Sequence, residues 1–98
     1  MANALTRAYE FKGAEEEVML IFTGAGTKWV GELSDPGHRL NRAFSIVKEK
    51  VAGACKACAT SFGVRGEVQA SGVPLLTEYR GHQSLRKVIK EGYQVVTF

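Results

Sequence analysis

The chain has few of the residues that build disulfide-rich or disordered proteins. It contains two cysteines and two prolines in 98 residues. Two cysteines cannot form the framework of a small secreted domain, and a close pair in an intracellular protein indicates redox chemistry, a metal site or no function. Neither a proline-rich tract nor an internal repeat suggests disorder. The length fits one domain, residues 1–98, with a single modest core.

Long apolar runs are also lacking. The longest, residues 18–22, is far too short to cross a bilayer. The N-terminus lacks the apolar core of a signal peptide. We therefore expect a cytoplasmic protein that has no membrane partner.

The basic residues are not gathered into a nucleic-acid-binding segment. The formal net charge is +3, but the thirteen basic residues are offset by ten acidic ones along most of the chain. Residues 48–50 mix lysine with glutamate, which is typical of a solvated helix face. A nucleic-acid binder would cluster Lys and Arg with aromatic residues between them. We predict no nucleic-acid partner.

Apolar residues at helical spacing predict four helices. They are expected over residues 2–12, 39–50, 58–62 and 83–91. Three of these segments are followed by a glycine, at Gly13, Gly63 and Gly92. A glycine in this position is typical of a left-handed helix stop.

Apolar runs between these helices predict strands. They are expected over residues 18–22, 51–57, 73–76 and 93–98. The first is apolar at consecutive positions, as in a strand covered on both faces of a parallel sheet, and Pro74 places the third near an edge. We expect residues 28–38 to form mostly an irregular loop, and residues 64–71 show no clear pattern. The alternation predicts an α/β fold with an open parallel sheet flanked by helices.

The predicted alternation opens on a helix, so the usual first strand of such a sheet is missing. In a doubly wound sheet that strand lies centrally, and its loss would leave a gap between its neighbours. Either the sheet closes differently, or the true N-terminus, with a first strand, lies upstream. We favour the second hypothesis, which an in-frame upstream segment ending in an apolar strand would support.

Three stretches that could carry chemistry follow predicted strands. Parallel strands all end at the same edge of a sheet. Residues 24–38, Cys58 and the segment Arg80-Gly81-His82 therefore become candidates for one shallow pocket.

The turn after the first predicted strand is a candidate ligand-binding stretch. Gly24, Ala25 and Gly26 could offer backbone N–H groups to a small anion. Lys28 follows, and Trp29 is expected to close the pocket or to contact another subunit. The spacing lacks the third glycine of GxGxxG and the GK[ST] of a phosphate-binding loop, and an ordinary glycine turn is the alternative.

Cys58 is the leading candidate for chemistry, because we predict it at the turn between a strand and a short helix. The helix dipole and nearby Lys56 or Arg65 would favour its thiolate, which is the nucleophilic form. The alternative is a small buried cysteine that packs as an apolar residue. If residues 51–57 form a strand, the Cys55 side chain packs against the helices that cover the sheet. If the segment is helical, both sulfurs share one face and a redox pair becomes possible.

The chain has two histidines, His38 and His82. Either could supply a proton or hold an anionic sulfur species beside Cys58 if its loop comes within hydrogen-bond reach. Otherwise each is an ordinary surface residue, and His82 is equally explained as a helix-entry residue. One CxxC pair with two distant histidines lacks the second ligand cluster of a closed zinc site. We therefore predict no metal and no cofactor.

Four segments of the chain together resemble the DsrE/DsrF-like family of sulfur-relay proteins. They are MANALTRAYEFKGA, EVMLIFTGAGTKWV, GACKACATSFGV and GHQSLRKVIKEGYQVVTF, and the likeness covers nearly the whole chain. The resemblance implies a flavodoxin-like fold, frequent homo-oligomers and persulfide transfer on a cysteine that follows a central strand. That cysteine falls on Cys58, whereas Cys55 is an extra of this subgroup. The family's first strand has no counterpart here.

The resemblance predicts a sulfur-relay protein that carries a persulfide on Cys58 and transfers it to a partner thiol. The implied partners are sulfur donor and acceptor proteins and further copies of the chain. Two alternatives stay open: a non-catalytic ligand-binding or assembly module of the same fold, and a CxxC dithiol redox protein.

Overall fold

The computed structural model describes residues 1–14 and 16–95, which form an α/β fold with an open parallel sheet flanked by helices. The helices are α1 (Ala2–Gly13), α2 (Trp29–Ser34), α3 (Asn41–Val47), α4 (Lys56–Ser61), α5 (Arg65–Ser71) and α6 (Leu85–Lys90). The strands are β1 (Leu20–Phe22), β2 (Val51–Cys55) and β3 (Leu75–Leu76), and two 3-10 helices span Gly24–Lys28 and Lys48–Lys50. The predicted fold class is confirmed.

The three strands pair in the order β1-β2-β3, and both pairings are parallel. Phe22 lies opposite Ala54 in the first pairing, and Cys55 lies opposite Leu76 in the second. The apolar strand β1 is therefore at an edge of the described sheet, and β3 is at the other edge, where its proline predicted it. Since β1 pairs directly with β2, the gap expected from a missing first strand is not present between these two strands.

Paired apolar side chains on three helices build most of the core. Each pair is spaced by three residues, which places both members on one helix face. The pairs are Leu5 and Ala8 of α1, Val30 and Leu33 of α2, and Phe44 and Val47 of α3. The ring of Phe44 meets that of Phe22 edge-on, with centroids 6.2 Å apart, and so joins α3 to β1. Burial of each large side chain contributes about 1.5 to 3 kcal/mol.

The loop expected over residues 28–38 contains α2, so that prediction is wrong for Trp29–Ser34. Gly31 and the short length of the segment conceal the helical spacing of its two buried residues. A Cβ at Gly31 would meet the Glu67 Cβ of α5 at 3.1 Å, so the glycine allows α2 and α5 to pack closely. Tertiary packing outweighs the helix-propensity cost of a glycine, which is about 1 kcal/mol.

Several predicted element ends shift in the structure. Gly13 is the last residue of α1 and does not adopt a positive φ, so its predicted role as a left-handed stop is wrong. Gly63 and Gly92 do adopt positive φ just after α4 and α6. Helix α5 occupies part of the stretch 64–71 that had no clear pattern.

A terminal strand was predicted over residues 93–98, of which the structure describes only residues 93–95. Residues 93–95 belong to no strand, and residues 96–98 lie outside the described residues.

None of the helices among the described residues is long and apolar enough to span a bilayer.

Gly53 in the central strand offers a direct test of the strand packing. A Cβ at this position would lie 2.6 Å from the carbonyl oxygen of Pro74 and 2.7 Å from Cγ of Leu76. We expect Gly53→Ala to lower the free energy of unfolding by about 1 to 3 kcal/mol, because the neighbouring strand must move. Chemical denaturation of the two proteins measures the difference.

Gly66→Ala is the matched control, because nothing lies within 4 Å of a Cβ at Gly66 in α5. Alanine in a helix is favoured over glycine by up to about 1 kcal/mol, so this variant should be neutral or more stable. Equal destabilisation of both variants would contradict the β2–β3 register.

Candidate functional site

The two cysteines lie where β2 passes into α4. Cys55 is the last residue of β2 and the N-cap of α4, and its Sγ accepts the backbone N–H of Cys58 at 3.4 Å. Its side chain is fully buried, whereas Cys58 in the first turn of α4 is half-buried, and both are free thiols. The junction between the strand and the helix lies two residues earlier than predicted, so Cys58 is the third residue of α4 and not its first. The strand ends earlier than expected because the Cys55 sulfur caps the helix.

A tight hairpin turn places His82 against both sulfurs. Tyr79 and His82 exchange two backbone hydrogen bonds, of 2.9 and 2.8 Å, around Arg80 and Gly81. The two central residues have φ of 48° and 83°, as a type I′ turn requires. The carbonyl of Gly81 accepts the N–H of Ala57 at 2.9 Å, which docks the hairpin on the first turn of α4.

The His82 ring faces the thiols through Nδ1. This atom lies 3.1 Å from Sγ of Cys55 and 4.0 Å from Sγ of Cys58. The imidazole can therefore exchange a hydrogen bond with either sulfur. His82 is exposed and precedes α6 by three residues, so the hairpin, and not a helix entry, explains its position.

Residues after β1 and after His82 complete the surroundings of Cys58. The hydroxyl of Thr23 lies 3.8 Å from the Cys58 sulfur, and Nε2 of Gln83 donates to that hydroxyl at 3.1 Å. The backbone N–H of Gly24 also lowers the pKa of the Cys58 thiol. Neither Thr23 nor Gln83 was among the predicted site residues. Their positions could have indicated them: Thr23 directly follows the strand β1, and Gln83 directly follows the candidate His82.

The hydrogen bonds make the two thiols unequal. Burial raises the pKa of the Cys58 thiol, but hydrogen bonds from the Cys55 side chain, the Gly24 N–H and the Thr23 hydroxyl outweigh this and leave it below the ordinary cysteine value. Burial raises the pKa of Cys55, and its hydrogen bond to Cys58 and the charge of that neighbour raise it further. Cys58 therefore ionises first, while Cys55 keeps its proton. The predicted helpers Lys56 and Arg65 are not among the groups that lower the Cys58 pKa.

The structure does not bring His38 to the cysteines. Its Nδ1 accepts the N–H of Leu40 at 3.1 Å, and its ring meets that of Trp29 edge-on, with centroids 6.2 Å apart. No hydrogen bond among the described residues joins His38 to Cys58. The two histidines, equivalent in the sequence, are separated by the fold.

The candidate ligand-binding stretch consists of the 3-10 helix Gly24–Lys28 and Trp29, the first residue of α2. Within it the Gly24 N–H lowers the pKa of Cys58, while Gly26 donates its N–H to the Thr23 carbonyl at 3.0 Å. Ala25 is exposed. Nζ of Lys28 lies 6.0 Å from the centroid of the Phe62 ring, and Trp29 packs partly buried against the core.

The cysteines and His82 are also arranged as potential metal ligands. Sγ of Cys55, Sγ of Cys58 and a ring nitrogen of His82 all lie within 4.8 Å of one another. The sequence predicts no metal because its histidines are distant from the CxxC pair. The hairpin removes that distance for one of them.

Comparisons of the chain with protein-family models, with curated proteins and with solved structures find no match. The resemblance to the DsrE/DsrF-like family therefore stays a prediction. The functional case depends on the geometry and the electrostatics of the thiol cluster.

The difference between the two thiols predicts the pH dependence of alkylation. The rate of iodoacetamide addition to Cys58 should rise through a midpoint below the ordinary cysteine pKa, since the thiolate is the reactive form. Cys55 should react only after denaturation, because it is fully buried and its pKa is raised. Peptide mass spectrometry of samples alkylated at a series of pH values measures both residues.

Thr23→Val should move the Cys58 midpoint upward, because it removes one of the hydrogen bonds that stabilise the thiolate. Thr60→Val is the matched control, since the Thr60 hydroxyl donates to the Lys56 carbonyl within α4. A Cys58 midpoint at or above the ordinary value in the unaltered protein would contradict the assignment.

Proposed function

We propose that this chain is a cytoplasmic sulfur-relay protein that carries a sulfane sulfur as a persulfide on Cys58 and passes it to the thiol of a partner protein. The observation that carries the proposal is the half-buried Cys58 thiol, whose pKa is lowered at the carboxyl edge of the sheet.

The relay needs two displacement steps. In the first, the Cys58 thiolate attacks the sulfane sulfur of a donor persulfide, so that a new S–S bond forms and the donor S–S bond breaks. The donor thiolate leaves with the electron pair. In the second, an acceptor thiolate attacks the outer sulfur on Cys58, which restores the Cys58 thiolate and creates the acceptor persulfide. Sulfur is transferred without net oxidation or reduction of the protein.

The surroundings of Cys58 suit the charge that this chemistry carries. The Thr23 hydroxyl lies 3.8 Å from the Cys58 sulfur, and the Gly24 N–H lowers the pKa of this thiol. Nδ1 of His82, which lies 4.0 Å from this sulfur, can donate to an anionic persulfide when it is protonated. Hydrogen bonds to an anionic sulfur favour the persulfide anion, the form that a relay must hold between donor and acceptor.

Exposed aromatic residues near the thiol favour protein partners. Tyr79, which is 61 % exposed, belongs to the hairpin that holds His82, and Phe62, which is 45 % exposed, follows the helix that holds Cys58. Aromatic residues are enriched at protein interfaces. We propose that donor and acceptor proteins dock here. A further exposed aromatic residue, Tyr9 on α1, offers a contact for a homo-oligomer.

Cysteine variants test the relay. Cys58→Ser should abolish persulfide loading, because the attacking thiolate is lost. Cys55→Ser should retain most of it, since serine keeps a hydroxyl donor beside the Cys58 sulfur. Intact-protein mass spectrometry after exposure to inorganic polysulfide measures loading as the added mass of one sulfur atom. Loading that survives Cys58→Ser would remove the central claim.

A CxxC dithiol redox protein is the second candidate function. One observation favours it: the two sulfurs lie within 4.8 Å of each other, and Sγ of Cys55 accepts the backbone N–H of Cys58 at 3.4 Å. Movement of the Cys58 side chain could bring them to the S–S bond length of about 2.05 Å. In this role the Cys58 thiolate would attack a substrate disulfide, forming a mixed disulfide on Cys58 and releasing one substrate thiolate. Cys55, once deprotonated, would then attack the Cys58 sulfur, forming the Cys55–Cys58 disulfide and releasing the second substrate thiolate, so that the substrate is reduced and the protein oxidised.

The dithiol role predicts a reversible intramolecular disulfide. After equilibration with oxidised and reduced glutathione, intact-protein mass spectrometry should show the loss of two hydrogen masses in an oxidised monomer, restored by excess reduced glutathione. Cys55→Ser is the control and should stop at a mixed disulfide with glutathione. The same mixed disulfide as the end product of the unaltered protein would contradict this function.

A further inference from the structure

The cluster of Cys55, Cys58 and His82 has the geometry of a three-ligand metal site. Nδ1 of His82 lies 3.1 Å from one sulfur and 4.0 Å from the other, and the three ligand atoms lie within 4.8 Å of one another. With Zn–S bonds of about 2.3 Å and Zn–N bonds of about 2.0 Å, neighbouring donors around tetrahedral zinc are about 3.5 to 3.8 Å apart. Shifts of about 1 Å at side-chain atoms would bring the donors to this spacing.

The donor set selects among metal ions. Two thiols and one imidazole are the ligands of Zn²⁺ and other thiophilic ions, whereas Mg²⁺ and Ca²⁺ require oxygen donors. Within the described residues the cluster includes no carboxylate. A site with three protein ligands leaves one coordination position open, and the exposed edge at His82 gives it access to solvent.

Backbone hydrogen bonds hold the three ligands in place before any ion binds. The N–H of Cys58 donates to Sγ of Cys55 at 3.4 Å, a contact that would persist with a coordinated thiolate. The Ala57 N–H and the Gly81 carbonyl, 2.9 Å apart, tie the histidine hairpin to the same helical turn. Such outer contacts orient ligands and typically affect metal affinity about 10- to 100-fold.

We propose that Cys55, Cys58 and His82 bind Zn²⁺ through both sulfurs and Nδ1, with the fourth position open. Each thiol gives up its proton to solvent when the ion binds, and no group is oxidised or reduced. The proposal goes beyond the sulfur relay and does not depend on it, because it rests on the ligand geometry alone.

Cobalt spectroscopy of the full chain tests the site. Co²⁺ added to the reduced, metal-free protein should produce a thiolate-to-metal charge-transfer band and the intense visible bands of a four-coordinate ion, saturating at one ion per chain. Stoichiometric Zn²⁺ should abolish these bands by displacing cobalt. Competition with a chelator of known affinity then gives the zinc dissociation constant.

Variants of the two histidines decide whether the site is the one proposed. His82→Ala should weaken Zn²⁺ binding by at least about 100-fold and change the visible cobalt bands, because a direct ligand is lost. His82 is exposed, so this replacement leaves the core intact. His38→Ala is the matched control and should change neither measurement, because that ring packs on Trp29. Cys58→Ser should remove much of the charge-transfer intensity.

Three results would overturn the proposal. They are the absence of cobalt or zinc binding by the unaltered protein, binding that is unchanged in His82→Ala, and saturation at one ion per two chains. The last would indicate that cysteines of two molecules share the ion without the histidine. None of these readouts involves sulfur transfer, so failure of the relay and failure of the metal site are separate outcomes.

Discussion

The candidate site depends on the junction at which β2 ends and α4 begins. A helix that starts directly after a strand leaves its first N–H groups without backbone partners, and here the Cys55 sulfur accepts one of them from Cys58. This contact buries the first thiol and sets the second thiol beside it on the first helical turn. The same turn offers the Ala57 N–H to the hairpin that holds His82. One helix start therefore assembles all three side chains.

The asymmetry of the thiols follows from this arrangement. Cys55 is fully buried and hydrogen-bonded, while the pKa of the less buried Cys58 is lowered by polar groups that follow β1, the Gly24 N–H and the Thr23 hydroxyl. A persulfide on Cys58 and a zinc ion on both sulfurs would use the same atoms, so they are mutually exclusive states of one site. If both occur, occupancy by zinc would protect the thiols and suspend sulfur loading.

Local pattern predicted the class of the fold but not the details that depend on contacts. The alternation of apolar runs predicted the parallel sheet, and Pro74 predicted an edge for its strand. Helix α2 was missed, because Gly31 weakens its local signal and the helix is stabilised by burial of Val30 and Leu33 in the core. The junction between β2 and α4 was predicted two residues too late, since nothing in the apolar pattern shows that a cysteine sulfur can cap a helix.

By itself the sequence determined the α/β class, the spacing of two cysteines three residues apart, and a list of candidate residues at the strand ends. Period and composition are local properties, and these conclusions require nothing more. Only the tertiary structure decided which histidine meets the cysteines, because that contact joins His82 to Cys55 across 27 positions of the chain. The type I′ turn at Arg80 and Gly81 and its docking on α4 bring His82 in, whereas the packing of His38 on Trp29 keeps it away.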